Sequence, residues 1–117
     1  MTVLQLTVRE ALDEFLHLLN DQFYVSAIEN GYSRFHQLSV IAGKRYYKIV
    51  EATVDSRADN VLTANNRAVY CFIEIGSGAI YKSASWAKPA KGIRSSIYKV
   101  IENPSMADAY GSWLYCR

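Results

Sequence analysis

The sequence predicts an α+β domain: an N-terminal amphipathic helix packed on an antiparallel β-sheet, followed by short C-terminal helical elements. Three observations predict it. A capped stretch with apolar residues at helical spacing opens the chain, alternating β-rich runs fill its middle, and the glycine-bracketed turn Gly76–Ser77–Gly78 joins two of those runs. With 117 residues, 50% of them hydrophobic, the chain has the length of one domain able to bury a single core, and residues 1–117 are read as one unit.

The helix is the firmest element. Thr7 and Glu10 have capping-box spacing, in which the threonine oxygen accepts from the N3 amide and the glutamate reaches back to the cap amide. Val8, Leu12, Phe15, Leu16, Leu19 and Phe23 then recur on one face, with Glu10, Asp13, Glu14, His17 and Asp21 on the other. The spacing predicts a helix from about Val8 to Asn20. Either it continues toward Asn30–Gly31, where an asparagine–glycine pair offers a left-handed stop, or FYVSAI forms a short strand.

From Tyr32 the period changes. SRFHQLSVI and KRYYKIVEATV flank Ala42–Gly43 as two strands, and residues 55–66 (DSRADNVLTANN) read as a polar loop. In RAVYCFIEI the alternation places Val69, Cys71, Ile73 and Ile75 on one face and Tyr70, Phe72 and Glu74 on the other. AIYKSA completes a hairpin across the glycine turn. GIRSSIYKVI suits a helical turn or a short strand, Asn103–Pro104 interrupts it, SMADAYG reads as a short helix ending at Gly111, and SWLYCR as an edge strand.

Composition narrows the function classes. The N-terminal residues lack the basic and apolar regions of a signal peptide, and no apolar run reaches the ~18 residues of a membrane helix. Cys71 lies in an apolar run and Cys116 next to the C-terminus, without CxxC or zinc-ligand spacing, so a soluble protein of a reducing cytosol is expected. No metal and no cofactor is expected. Neither is catalysis: His17 and His36 stand alone, the acids are scattered, and GxSxG, HExxH and the phosphate-loop pattern are all missing.

The net charge of +2 conceals a division. Residues 1–31 carry Glu10, Asp13, Glu14, Asp21 and Glu29 against Arg9 alone, whereas residues 76–101 carry Lys82, Lys88, Lys91, Arg94 and Lys99 and no acid. This density of bases is too low for a duplex-DNA arm and suits a small anionic ligand or a single strand. The segment YKSASWAKPAKGIRSS concentrates the chemistry. Trp86, Tyr81 or Tyr70 offers a π face for a base, worth ~1–3 kcal/mol. Lys82, Lys88, Lys91 and Arg94 supply phosphate charge. If GIRSSIY starts a helix, amides near Ser95 and Ser96 add an anion site.

The bland alternative is that Trp86 anchors the core, the lysines beside Pro89 form a solvated loop, and Arg94 pairs with Glu102. For Trp86 alone, core packing is the stronger expectation; for the constellation, a ligand surface is. The same surface could track single-stranded nucleic acid, or form a flat interface that inhibits a host enzyme. Nine tyrosines and two tryptophans also suit association between subunits. The bases around Arg57 and Arg67 are the fallback site.

The run VYCFIEIGSGAIYKSASWAKPAKGIRSSIY, with the later YGSWLY, resembles small phage-encoded accessory proteins having the pattern FI…TG.IYK.ASW..PAKG.RG. The matching positions are Phe72, Ile73, Gly78, Tyr81, Lys82, Ala84, Ser85, Trp86, Pro89, Ala90, Lys91, Gly92 and Arg94, with Ser95 standing where the pattern has glycine. In size and element order the chain resembles the Thoeris anti-defence proteins, which sequester cyclic ADP-ribose-type signals or cyclic oligonucleotides without cleaving them. The resemblance implies a homo-oligomeric, non-enzymatic binder of an anionic nucleotide in the host cytoplasm.

Overall fold

A computed structural model describes residues 6–55, 60–61, 67–103 and 114. It has the expected α+β architecture. Helix α1 (Val8–Glu29) and the short helix α2 (Ile97–Glu102) accompany strands β1 (Arg34–Ala42), β2 (Tyr46–Asp55), β3 (Asn60–Val61), β4 (Ala68–Glu74), β5 (Ala79–Ser83) and β6 (Pro89–Ser96). The antiparallel path is β1-β2-β4-β5-β6, with β3 pairing off it onto β2. Residues 60–61 therefore pair with Asp55 and Val54, where a loop was expected.

Both capping-box bonds form, at 3.1 Å each, so the orphan amides of Thr7 and Glu10 are satisfied reciprocally. The helix runs through FYVSAI instead of yielding to a strand. It closes at Gly31 (φ +73), where Tyr32 donates to the Ala27 carbonyl (2.9 Å) and Gly31 to that of Ile28 (3.2 Å), a Schellman ending. Ala11, Leu12, Phe15, Leu19 and Phe23 face the sheet and pack with Leu38, Ile49, Cys71, Ile73 and Ile80; Ile97 and Val100 of α2 join the same core, as does Leu114.

The β4 alternation breaks at one residue. Ile49 pairs with Cys71 but Val50 with Val69, so Tyr70 is an inserted bulge residue. The bulge turns Tyr70 into the core, 7% exposed, and moves Val69 to the partner position of Val50. Tyr70 is thereby removed as a stacking surface. Cys71 is fully buried, as expected, and burial pushes its thiol far above the ordinary thiol range.

The run GIRSSIYKVI divides into strand and helix. Residues to Ser96 pair with β5, and Ser96 then caps α2, its hydroxyl accepting from the Lys99 amide at 3.2 Å. Gly78 (φ +77) sits beneath this junction: it accepts from the Ile97 amide at 2.8 Å, and a Cβ there would lie 2.8 Å from Ile97 Cγ2. The expected SMADAYG helix and the SWLYCR edge strand lie outside the described residues, Leu114 apart.

Candidate functional site

With α1 and α2 on one sheet face, strand alternation sends Tyr46, Lys48, Phe72 and Tyr81 to the other. Tyr46 meets both other rings edge-on, 6.0 Å from Phe72 and 5.8 Å from Tyr81. The β5–β6 loop joins this face. Ala84 and Ser85 donate to the Lys88 carbonyl (2.9 and 3.1 Å), while the Ser85 hydroxyl accepts from the amides of Ala87 and Lys88. These bonds pinch the loop so that Trp86 stands at its tip.

Trp86 is 47% exposed and is no core anchor; the core-packing expectation fails here. Its ring is met by two cations, Lys48 Nζ at 4.5 Å and Arg67 Cζ at 5.5 Å from the centroid. Lys48 comes from β2 and Arg67 precedes β4, so the loop leans back across the sheet. Beside it lies a cleft of about 220 Å³ lined by Ile41, Gly43, Lys44, Arg45, Tyr46, Lys48, Phe72 and Ala87. Arg45 also stacks on Tyr46 (5.2 Å) and meets Glu74 at 3.4 Å. The hydroxyl of Ser77 and, secondarily, Arg45 hold the Glu74 carboxyl below the usual range, so it stays ionised at neutral pH.

The structure divides the sequence-predicted site. Tyr81 and Trp86 belong to the outer face, with Lys88 exposed at the base of the loop. Lys91 is exposed on the edge strand β6, next to Gly92 (φ +94). Lys82 follows Tyr81 in β5, and alternation directs it to the side of Ile80. Ser95 pairs with Ile80 and is buried, so it supplies no helix-terminal amide site; α2 starts beyond it. Arg94 is half-buried, and its Nε, like the Ser95 hydroxyl, is enclosed without a hydrogen-bond partner.

Sequence reasoning missed Lys44, Arg45, Tyr46 and Lys48, which strand pairing brings to Trp86 from some forty residues away. Both Tyr46 and Lys48 lie in the KRYYKIVEATV run read as a strand, but that run does not tell what lies opposite them. Arg67, the fallback candidate, proves part of this face, while Arg57 lies outside the described residues.

His36 is not alone either. Its Nδ1 lies 3.1 Å from Glu51 Oε1, and its ring meets Phe23 edge-on at 5.6 Å. It borders a groove of about 430 Å³ between α1 and β1 that also includes His17, Asn20, Asp21 and Tyr24. Among the described residues, no group of three or more histidines, cysteines or acids is placed to hold a metal ion, and no helix is long and apolar enough to cross a membrane.

Fold and face together define a small single-sheet α+β protein with helices on one side and a cation-flanked aromatic surface on the other. The chain belongs to the family described as a family of unknown function (DUF7717), whose model matches residues 1–116. No curated protein and no solved structure matches it.

Proposed function

We propose that this protein binds an anionic, nucleotide-derived ligand without turnover, through the face around Trp86. The observation that carries the proposal is an exposed indole flanked by Lys48 and Arg67. An indole exposed on a sheet face offers a π surface to a base, and the cations beside it attract phosphate. Glu74, the carboxylate beside Arg45, is already engaged by Ser77 and Arg45. The resemblance to phage anti-defence proteins supports sequestration of a cyclic ADP-ribose-type or cyclic oligonucleotide signal in a host cytoplasm as the role. Tyr81, Trp86 and Lys88 remain on the proposed surface, with Lys91 and Arg94 at its β6 margin.

The test is calorimetry against mononucleotides, cyclic nucleotides and oligonucleotides, with recovery of the ligand afterwards. Saturable binding, ligand recovered intact, and at least about a fivefold loss in Trp86→Ala are expected, since stacking is worth ~1–3 kcal/mol per base. Unchanged affinity in a folded Trp86→Ala protein removes the face from consideration, and a chemically altered ligand refutes binding without turnover.

We also infer a homo-oligomer. Tyr24, Val25 and Ile28, at neighbouring positions of α1, are exposed together with Tyr32 at its end, an apolar set suited to a second copy. Light scattering at micromolar concentration should give a multiple of 13.2 kDa; a monomeric mass refutes it.

The second proposal, a track for single-stranded nucleic acid on the same surface, is favoured by the openness of the Trp86 edge, where the ring is half exposed.

A further inference from the structure

The cleft beside Trp86 is too small for a whole nucleotide ligand. Pockets that enclose small molecules run to about 300–1,000 Å³, whereas this one measures about 220 Å³. It therefore suits one polar group of a ligand whose remainder lies outside. The lining tells which group. Lys44, Arg45 and Lys48 contribute three positive charges, and the ionised Glu74 against Arg45 offsets one, leaving two. A phosphate monoester carries about −1.5 to −2 at neutral pH, and a pyrophosphate bridge brings two negative charges together. A lone phosphodiester brings a single charge and would leave the cleft under-neutralised.

The cleft is also continuous with the stacking surface. Lys48 lines it and stands 4.5 Å from the Trp86 ring centroid, and Ala87, the next residue of the loop, forms part of its wall. Arg45 is aligned by its stacking on Tyr46 and its contact with Glu74, so its guanidinium is partly pre-organised for an oxyanion.

We propose that the cleft between the β1–β2 hairpin and the Trp86 loop seats a doubly charged phosphate group, a terminal monoester or a pyrophosphate, of a nucleotide whose base stacks on Trp86. This rests on the assignment of the Trp86 face as a nucleotide site, and it fixes the ligand's direction: base toward Trp86, phosphate toward Lys44 and Arg45.

The test measures affinity of the full chain for adenosine, AMP, 3′,5′-cyclic AMP and ADP-ribose, with guanosine and GMP as a second base. AMP, ADP-ribose or both should bind at least about tenfold tighter than adenosine, and cyclic AMP should gain less. Preference for AMP identifies the monoester, and preference for ADP-ribose the pyrophosphate. In Lys44→Ala and in the Lys44→Ala/Arg45→Ala double variant the nucleotide advantage should shrink to under about threefold while nucleoside affinity stays the same. Thermal unfolding of the variants confirms that they are folded; Lys44→Ala, in an exposed turn, keeps the test available should the double variant fail to fold. Equal affinity for nucleoside and nucleotide, cyclic AMP binding as tightly as the better of AMP and ADP-ribose, or an advantage that survives in the variants overturns this inference alone. If no nucleoside or nucleotide binds or quenches Trp86 fluorescence, the nucleotide site itself is refuted, and this inference with it.

Discussion

At the scale of single residues, Trp86 carries the sharpest consequence. A buried tryptophan replaced by alanine costs about 3–5 kcal/mol, but this ring is 47% exposed and held mainly by Lys48 and Arg67. Trp86→Ala should therefore lower stability by no more than about 2 kcal/mol, measured by chemical denaturation. A loss above about 3 kcal/mol would place the ring in the core after all. Thr7 is the opposite case, a residue with a structural duty alone. Thr7→Ala removes the acceptor for the Glu10 amide and should cost about 1 kcal/mol while ligand affinity stays level. The same cap carries a pH dependence. Hydrogen bonds from the Thr7 backbone and side chain hold the Glu10 carboxyl below its ordinary range, so its contribution is present above the ordinary glutamate pKa and is lost as pH falls through the lowered folded value. The first-named bond comes from the backbone amide of residue 7 and survives in Thr7→Ala, so the comparison is with Glu10→Gln. Acid titration should show a steeper stability loss below about pH 4 in the parent than in Glu10→Gln, and parallel curves would contradict the carboxylate's contribution.

At the scale of elements, a side chain of α1 covers the outer edge of β1 at Leu38. Asn20 of α1 donates to the Leu38 carbonyl (3.0 Å) and accepts from the Leu38 amide (2.6 Å), so its amide imitates the next strand. Leu38 is paired laterally with Glu51, and both its peptide groups turn away from β2 toward the helix. Asn20→Ala would leave two part-buried backbone groups without partners, at about 1–3 kcal/mol, and reopen a template for strand addition. Denaturation should report the loss, and light scattering should show new concentration-dependent association. Unchanged stability and mass would mean that water replaces the amide without penalty. What the sequence made legible here was local. The Thr7–Glu10 cap, the apolar helix stripe and the Gly76–Gly78 turn each depend on neighbours within a few residues. The bulge at Tyr70 was not legible, because it depends on which residues of β2 lie opposite, and neither was the Asn20–Leu38 pairing across 18 residues. The candidate site failed in the same way: Trp86 and Tyr81 were found within one segment and Arg67 only as a separate candidate, while Lys44, Arg45 and Lys48 enter only through strand order. Lys82 and Ser95 are linear neighbours of the site that the pleat turns away from it.

At the scale of the whole molecule, the charge division along the chain becomes a division in space. Acids line the exposed side of α1, and the cations around Trp86 lie beyond the sheet, so the sheet stands between two fields of opposite sign. Such an arrangement draws an anion to one side only, and it bears on how large that anion is. The cleft suits a single monoester or pyrophosphate group, and one exposed indole adjoins it. A ligand that fills both has used Lys44, Arg45, Lys48 and Arg67, so among the described residues added nucleotides would meet scattered cations, Lys88 at the loop and Lys91 and Arg94 at the β6 margin. Affinity for oligonucleotides of increasing length should therefore level off after the first one or two nucleotides. A polymer track behaves otherwise: each further phosphate neutralised releases counterions, and log K falls against log salt with a slope of about −0.7 per phosphate contact for single strands. Fluorescence anisotropy over a length series, repeated at several salt concentrations, separates the two. A plateau with a shallow, length-independent salt slope fits a site of one nucleotide unit. Affinity and slope that climb together beyond about four nucleotides would turn the same face into a track, with Trp86 as one stacking platform along a strand.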